Sequence, residues 1–240
     1  MTKTVSDPVT VMKRHEVKYL LDAQKTAYLR ARLVGHMVPD AFGLTSIASL
    51  YYDTPDRRLI RESLEKPVFK EKLRLRSYGL ASGDSPVFLE LKCKAFDTVY
   101  KRRVQSTISG VERFFAGGEE LGEGQIFREI GAFCGHYDAL APSCLIIYDR
   151  TAYYEPDGDL RLTIDENPRY RMQDLALDRS LDGIPLLPEG WTILEIKVQD
   201  AIPLWLAEIL STGRIYRGSF SKYGEAYRRE VLKRAGLSVK

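Results

Sequence analysis

Strict alternation of apolar and polar residues dominates the middle of the chain, and this period of two predicts β-strands with two unlike faces. We count about eight such runs, near residues 13–20, 47–53, 70–78, 86–94, 98–107, 144–154, 159–166 and 191–198. Helices are predicted near 109–116, 123–135, 203–210 and 222–234, and from Asp22, whose carboxylate can cap a first turn, to about Leu33. The pattern indicates an α+β, mainly β fold.

The polar face of these strands is unusually rich in charge. In the segment 72–76, three cations share one face and two leucines share the other, and segments 14–19, 89–94, 160–165 and 194–198 repeat the pattern. The predicted face holds the cations Arg14, Lys18, Lys72, Arg74, Arg76, Lys92, Lys94, Arg161 and Lys197 against the acids Glu16, Glu90, Asp165 and Glu195. This excess of five exceeds the net charge of the whole chain, which is +3.

Two architectures fit this alternation. An ordinary antiparallel sheet with one solvated face would produce it. An eight-stranded antiparallel β-barrel with a polar, cationic lumen and helices over its apolar outer face would also produce it. Because like charges on neighbouring strands repel, a cationic lumen makes sense chiefly when a polyanion fills it. Arginine forks match phosphate oxygens, and lysines supply movable charges.

Length and composition exclude several classes of protein. With 240 residues, 44% of them hydrophobic, and no long linker, the chain is predicted to form one folded domain over residues 1–240. No apolar run approaches the roughly 20 residues of a membrane span. The three cysteines form no C-x-x-C pair and the first residues show no secretory signal, so we expect a cytoplasmic protein with reduced thiols. No phosphate-binding glycine-rich motif is present.

An ordered set of motifs spans nearly the whole chain. They are Arg14–Tyr19, Ser49–Asp53, Lys72–Gly79, Leu89–Lys92, Tyr148–Tyr153, Arg161–Asp165, Leu194–Lys197 and Ser219–Tyr223. In this order they resemble the VTC domain of polyphosphate polymerases, within the triphosphate tunnel metalloenzyme (CYTH-like) superfamily. The resemblance implies an eight-stranded tunnel in which Lys and Arg bind ATP, triphosphate or polyphosphate. It also implies Mn²⁺ or Mg²⁺, held by a glutamate and phosphate oxygens.

The resemblance also implies a reaction, the transfer of the ATP γ-phosphate to a growing polyphosphate chain. Related CYTH enzymes, which resemble one another in a Glu-x-Glu-x-Lys strand, instead hydrolyse triphosphates. The matching strand here runs Arg14-His15-Glu16-Val17-Lys18, so an arginine replaces the first glutamate. That replacement favours the polymerase branch. A tunnel triphosphatase and a non-catalytic polyphosphate-binding module remain open.

Site residues are carried over position by position from the motifs, except Arg103 and Lys101, which belong to the cationic run 101–103 on another predicted strand. Predicted phosphate contacts at the reacting centre are Arg74, Arg76, Lys18, Arg150 and Arg161. Further substrate contacts are predicted at Lys92, Arg103, Lys197, Lys222 and Arg14, with Lys101 as an alternative to Arg103. Metal ligands are predicted at Glu195 first, then at Glu90, Asp165 and Glu16. Lys92 and Lys197 are equally compatible with internal ion pairs to Glu90 and Glu195, which lie two residues earlier.

Other side chains and partners carry weaker expectations. Tyr51, Tyr52, Tyr153 and Tyr154 either stack on a base at the tunnel mouth or, more often in barrels, fill the wall. His15 falls on the apolar face and is expected to be structural. The cations alternate with aliphatic rather than aromatic residues, so we expect no nucleic-acid partner. With no predicted span, any movement of polymer across a membrane would need a separate membrane partner.

Overall fold

A computed structural model describes residues 15–96, 98–117, 122–137 and 139–236. It contains eight long strands, which are β1 (His15–Leu21), β3 (Thr45–Asp53), β4 (Phe69–Tyr78), β5 (Val87–Ala95), β6 (Thr98–Ser106), β7 (Ala141–Tyr154), β8 (Arg161–Arg171) and β10 (Thr192–Val198). Three two-residue strands are β2 (Val38–Pro39), β9 (Ile184–Pro185) and β11 (Arg217–Gly218). The long strands lie where alternation predicts them.

Six helices lie between and after the strands. They are α1 (Ala23–Leu33), α2 (Arg58–Leu64), α3 (Ile108–Phe115), α4 (Gln125–His136), α5 (Leu204–Thr212) and α6 (Lys222–Arg234). Asp22 caps α1 as predicted, its carboxylate accepting from the Lys25 amide at 2.8 Å. Helix α2 is not predicted by the pattern. Its N-terminus is capped from outside, because the Asp53 carboxylate accepts from the amides of Leu59 and Ile60 at 2.8 and 3.0 Å.

All strand pairs are antiparallel, in the order β11-β1-β10-β8-β7-β3-β4-β5-β6, with β2 on β7 and β9 on β8. The prediction of a closed eight-stranded barrel is therefore wrong, because β6 and β11 end an open sheet within the described residues. The physical reason is that β11 occupies the outer edge of β1, pairing Lys18 with Gly218 and Tyr19 with Arg217. That edge is then not available to β6.

The open sheet is nevertheless strongly curved. Lys92 on β5 and Glu16 on β1 are separated by five intervening strands in the sheet order. Their side chains still meet, with Lys92 Nζ 3.9 Å from Glu16 Oε2. The polar face is thus the inside of a trough rather than the flat, solvated surface of an ordinary sheet.

The apolar face of the sheet is the outside of the trough and is covered by four helices. Leu73, Leu75 and their neighbours pack against Val111 of α3 and Ile130 of α4. A second cluster packs the strand residues Leu162, Ile164, Leu194 and Ile196 against Leu29 and Leu33 of α1 and Leu206 and Leu210 of α5. These clusters bear out helices covering an apolar outer face.

A third cluster lies inside the trough. Ile47, Ile146 and Tyr148 point from β3 and β7 to the same side as the charged residues. They pack there against Ile60 of α2 and against Tyr223 of α6. Part of the trough is therefore filled by two helices, and the charged side chains occupy the remainder.

Three further features bear on the expectations from sequence. Arg14 lies outside the described residues. His15 is exposed at the start of β1 rather than packed in the apolar face, because the cluster beneath that face begins only at Val17. Among the described helices, none is long and apolar enough to cross a membrane.

Candidate functional site

The first half of the site is built around Glu90, on strands β4, β5 and β6. This carboxylate is only 1% exposed and lies near four cations. Its oxygens are 2.8 Å from Arg74 Nε, 3.7 Å from Arg76 Nε, 2.6 Å from Lys101 Nζ and 3.6 Å from Arg103 Nε. Burial alone would raise the pKa of Glu90, but Arg74 and Arg76 outweigh it and lower the pKa to about 2. Glu90 is therefore an anion at all physiological pH values.

Strand register explains why these side chains converge. Arg74, Glu90 and Arg103 are directly opposite one another on the three neighbouring strands. Lys101 lies on the same side of β6 as Arg103, whereas Arg102 points to the other side and pairs with Glu129. The sequence left open whether Lys101 or Arg103 faces the site, and both do.

Two cross-strand sets of lysines continue this half toward the end of the sheet. In the first, Lys72, Lys92 and Lys101 lie side by side on β4, β5 and β6, and in the second Lys70 lies opposite Lys94. We call these five residues the lysine rows. Cross-strand pairs of like charge are destabilising. Burial, opposed by Tyr51 but reinforced by Lys70 and Lys92, lowers the pKa of Lys72 to about 8.

A tyrosine borders this half on β3. Arg74 Nη1 donates to the Tyr51 hydroxyl at 3.2 Å, and the Tyr51 ring stacks on that of Tyr223 with centroids 4.6 Å apart. Burial would raise the pKa of Tyr51, but the positive charges of Arg74 and Lys72 lower it to about 8. Tyr51 thus faces the charged site, whereas its neighbour Tyr52 stacks on Phe115 in the wall.

The second half of the site contains Asp165 on β8. Arg150 of β7 donates to both Asp165 oxygens, at 2.6 and 2.9 Å, and Lys222 of α6 donates to the same carboxylate. Asp165 is fully buried. Burial would raise the pKa of Asp165, but Lys222 and Arg150 hold it below the usual range. The carboxylate therefore holds two cations from different elements in place.

Glu195 on β10 forms the other cluster of this half. Its oxygens lie 3.3 Å from Lys18 Nζ and 2.8 Å from Lys197 Nζ, and Lys18 Nζ is also 3.2 Å from Glu16. Burial would raise the pKa of Glu195, but Lys18 and Lys197 lower it well below the usual range. The internal ion pair anticipated for Lys197 is formed. Lys92, by contrast, reaches Glu16 rather than Glu90.

Tyr148, to which the sequence analysis assigned no role, lies between the two halves. Its hydroxyl accepts from Arg76 Nη2 at 3.4 Å. Lys222 Nζ lies 4.2 Å from the centroid of its ring, and the Arg150 guanidinium carbon lies 5.1 Å from it. Cations over an aromatic face are attracted by its negative charge density. The sequence did contain a signal for Tyr148. It lies two residues before Arg150 on an alternating strand, so both side chains are expected on the same face.

The remaining predicted residues lie further from this centre. Arg161 is exposed, donates to the carbonyls of Gly158 and Leu160, and lies over the Tyr154 ring. The structure thus places Arg161 at the rim and does not bring it together with Arg74, Arg76 and Arg150. Tyr153 packs against the outer apolar cluster, as a wall residue does.

A buried hydrogen-bond network fixes helix α6, which carries Lys222. The Tyr223 hydroxyl donates to Asp53 Oδ2 at 2.8 Å, and the Ser221 hydroxyl accepts from the Gly224 amide and caps the helix. Asp53 also holds the first turn of α2. The Asp53 carboxylate therefore ties both helices inside the trough to β3, and it sets where Lys222 enters the site.

The acidic side chains of the site offer a divalent metal only part of a coordination shell. Among the described residues, no group of three or more His, Cys, Asp or Glu side chains is arranged to hold one. Glu16 and Glu195 do converge on a single ammonium, and the buried Thr163 hydroxyl, on the strand position opposite Glu195, has no hydrogen-bond partner among the described residues. Mg²⁺ and Mn²⁺ accept one or two carboxylates when phosphates and waters complete the shell. These oxygens fit such a shared site.

Arg and Lys from several strands and from a terminal helix lie on the concave face of the curved antiparallel sheet, an arrangement that suits a polyanionic ligand. The VTC domain family model matches residues 13–231, so the chain belongs to the VTC domain family. No protein of curated function matches the chain.

Solved structures resemble the chain at low sequence identity. A protein from Bacillus halodurans, described as a candidate adenylate cyclase, is 15% identical with a TM-score of 0.53, covering 88% of this chain and 96% of that one. A similarly described protein from Vibrio parahaemolyticus is 12% identical with a TM-score of 0.47, covering 89% and 97%. At such identities the first likeness establishes the fold alone.

Proposed function

We propose that the protein is a metal-dependent polyphosphate polymerase, which transfers the γ-phosphate of ATP to the end of a polyphosphate chain. The observation that carries the proposal is the convergence of Arg76, Arg150 and Lys222 around Tyr148. They come from β4, β7 and α6, with Arg74 adjacent on β4. Membership of the VTC domain family supports the same proposal.

Phosphoryl transfer asks a protein for in-line positioning and charge stabilisation rather than for a covalent group. In the proposed reaction, an oxygen at the chain end forms a bond to the γ-phosphorus as the bond to the β-phosphate oxygen breaks, and ADP leaves. Arg74 and Arg76 are proposed to hold one side of the transferring group. Arg150 and Lys222, already oriented by Asp165, are proposed to hold the other side.

A divalent metal belongs to the same proposal. Glu195 is proposed as its main protein ligand and Glu16 as a secondary one. When bound, the metal would neutralise phosphate charge. Glu90 and Asp165 fit this role less well, because their side chains are only 1% exposed and each pairs with an arginine, whereas the side chains of Glu195 and Glu16 are 11% and 34% exposed and pair with lysines. They are better suited to holding the arginines and lysines in position.

Incubation of the purified full chain with ATP and Mn²⁺, followed by gel analysis, tests the proposed function. The expected products are ADP and a ladder of polyphosphate. Glu195→Gln is expected to reduce the rate by about 100-fold or more, the size of effect seen when one charge-stabilising group is removed. Glu189→Gln, an exposed acid in the loop before β10, is the matched control and is expected to leave the rate unchanged.

The products also distinguish the alternatives. ADP and free phosphate without polymer would indicate a tunnel triphosphatase and would contradict polymerase activity. Tight binding of tripolyphosphate without any turnover would indicate a binding module. One observation favours the binding module. Both oxygens of Glu195, the proposed metal ligand, are within ion-pair distance of lysines.

A further inference from the structure

We propose that a cavity on the outer side of the sheet binds a small, neutral, planar molecule. The ligand would carry a hydrogen-bond acceptor and a donor side by side on one edge, as nucleobases and other cyclic amides do. The cavity has a volume of about 240 Å³ and lies between α1, β8 and the turn before β10. This second site goes beyond the proposed function, because it takes no part in phosphoryl transfer.

The cavity is separate from the charged site on the concave face. Glu166 of β8 lines it and directly follows Asp165 in the chain. Consecutive side chains of a strand point to opposite faces, so Glu166 faces outward where Asp165 faces the concave side. Arg30 of α1, one of the helices that cover the outer face, donates to Glu166 Oε2 at 2.8 Å. The ligand proposed here would therefore bind on the far side of β8 from the phosphate contacts.

Small side chains leave the space open on the helix side. Ala23 and Ala27 of α1 line the cavity, and Gly190 lines it from the turn before β10. Gly190 has a φ of +76°, and a Cβ atom built there would lie 3.0 Å from the Cβ of Ala23. A larger residue at position 190 would therefore be strained and would press on the helix.

A buried hydroxyl pair joins α1 to β10 at the cavity. Thr26 donates from its hydroxyl to the Asp22 carbonyl at 2.8 Å, so the 2.9 Å contact between Thr26 and Thr192 has Thr192 as the donor. Both threonines line the cavity. Because helix and strand are joined there by a hydrogen bond between side chains, the cavity is formed before a ligand arrives.

The polar groups of the cavity define the edge of the ligand. Arg30 Nε is buried and donates to no acceptor among the described residues. A buried donor without an acceptor costs stability and is rare in folded proteins. Glu166 accepts from Arg30 through one oxygen, and no hydrogen bond within the described residues reaches the other. A ligand with an acceptor next to a donor would satisfy both groups.

Charge indicates that the ligand is neutral. Arg30 and Glu166 balance each other, and every other residue that lines the cavity is uncharged. An anion placed against Arg30 would lie beside the Glu166 carboxylate, and a cation placed against Glu166 would lie beside the guanidinium. Either charge would be repelled by one member of the pair.

Size and an aromatic wall indicate a planar ring. Trp191 lines the cavity and is 37% exposed, so part of its indole is available to a ligand. Indole faces stack on other flat rings. The volume is below the roughly 300 Å³ at which pockets for drug-sized molecules begin, so one or two fused rings fit and a sugar would protrude.

The test uses Trp191 fluorescence and two probes, inosine and 1-methylinosine. The chain has two tryptophans, so Trp205→Phe leaves Trp191 as the reporter. Inosine carries the required carbonyl and N–H side by side, and the methyl group of 1-methylinosine removes that donor. We expect inosine to quench Trp191 with a Kd of roughly 0.1 to 1 mM. The methylated probe is expected to bind about tenfold more weakly.

Two pairs of variants, made in the same background, locate the binding. Ala27→Leu fills the cavity and is expected to weaken inosine binding more than about tenfold, whereas Ala31→Leu, exposed on the same helix but outside the cavity, should leave it unchanged. Arg30→Lys keeps the charge opposite Glu166 but removes Nε, and should cost about tenfold in affinity. Arg32→Lys is its control. Melting temperatures within a few degrees of the parent show that each variant is folded.

Several outcomes would overturn the site. They are no quenching up to roughly 10 mM inosine, equal binding of the two probes, or undiminished binding by folded Ala27→Leu and Arg30→Lys. Competition by tripolyphosphate would place inosine on the concave face and would also contradict the proposal. Failure of the proposed function is measured separately, because it appears as the absence of polymer from ATP and does not involve Trp191.

Discussion

The two halves of the concave face use charge differently. The half on β4 to β6 surrounds one acid, Glu90, with the cations Lys70, Lys72, Arg74, Arg76, Lys92, Lys94, Lys101 and Arg103. The half on β1, β7, β8 and β10 pairs its cations nearly one to one, with Asp165 holding Arg150 and Lys222, and with Glu195 and Glu16 holding Lys18 and Lys197.

This difference suggests a division of labour between binding and chemistry. A balanced cluster keeps its geometry with or without a ligand, because each charge is already satisfied. Such preorganisation is what charge stabilisation at a reacting centre requires. An unbalanced cluster stores repulsion until an anion arrives, so it favours binding of a polyanion.

The largest expected effect is on stability, from Glu90→Gln. The change leaves Arg74, Arg76, Lys101 and Arg103 together without their shared anion. Breaking a buried ion pair by removing one partner costs about 3 kcal/mol or more. We expect a loss of about 3 kcal/mol in the free energy of unfolding, measured by urea denaturation at pH 7. Saturating tripolyphosphate should stabilise the variant more than it stabilises the wild type.

The matched control for Glu90→Gln is Asp174→Asn, which removes an exposed acid 3.5 Å from Arg179. Exposed pairs contribute less than about 1 kcal/mol. Because the folded pKa of Glu90 is about 2, below the ordinary value of about 4.3, its contribution is complete above pH 4.3 and lost as the pH falls toward 2. The difference between wild type and variant should narrow over that range. A loss below 1 kcal/mol at pH 7 would show that Glu90 does not organise the cluster.

Much of the fold was predictable because alternation reports locally on strands. The eight long strands, the cap at Asp22 and the pairing of Lys197 with Glu195 each depend on residues close together in sequence. The open edge was not predictable, because it depends on the two residues of β11 taking the outer edge of β1. Helix α2 was missed for a different reason, because its N-cap residue, Arg57, makes no side-chain cap and the capping carboxylate of Asp53 lies at the end of the preceding strand.

Which residues face the site was largely predictable from the sequence, but which of them contact one another was not. Alternation and family resemblance placed Arg74, Arg76 and Glu90 on one face, yet the number of cations that share Glu90 follows from the register of β5 against β6. Nothing local to residues 101–103 fixes that register. Tyr148 and Tyr51 were difficult for another reason, because a tyrosine on a strand is as compatible with a wall as with a site.

A smaller effect on stability is expected from Tyr223→Phe, which removes a hydrogen bond that holds helix α6 inside the trough. The hydroxyl lies 2.8 Å from Asp53 and 3.0 Å from Ser143, so its removal takes one hydrogen bond from each of these partners. We expect unfolding free energy to fall by about 1.5 kcal/mol. Tyr227→Phe, on the same helix, is the control and should cost less. Equal losses would mean that the Asp53 hydrogen bond does not hold α6.

The smallest expected effect is a pH dependence of binding confined to the unbalanced half. Lys72 has a pKa of about 8, so it carries its charge below pH 8 and loses it as the pH rises toward 9. In the balanced half, Glu195 and Glu16 outweigh burial and raise the pKa of Lys18, which therefore stays charged throughout. Phosphate bound beside Lys72 favours its charged form, so binding near pH 8 should take up protons.

Proton uptake can be measured by titrating the protein with tripolyphosphate at pH 8 in buffers of different ionisation enthalpy. The wild type should lose about threefold in affinity between pH 7 and pH 9 relative to Lys72→Arg, whose guanidinium remains charged over that range. Because tripolyphosphate also titrates in this range, the affinity of the wild type is divided by that of Lys72→Arg at each pH, which cancels the contribution of the ligand. Tyr51 also has a pKa of about 8, and Tyr51→Phe removes its contribution. Because this variant cannot form a phenolate, the pH dependence of affinity that remains should become flatter. Identical pH profiles for the wild type and Lys72→Arg would place the bound phosphate away from Lys72, and the contrast between the halves would then not extend to ligand binding.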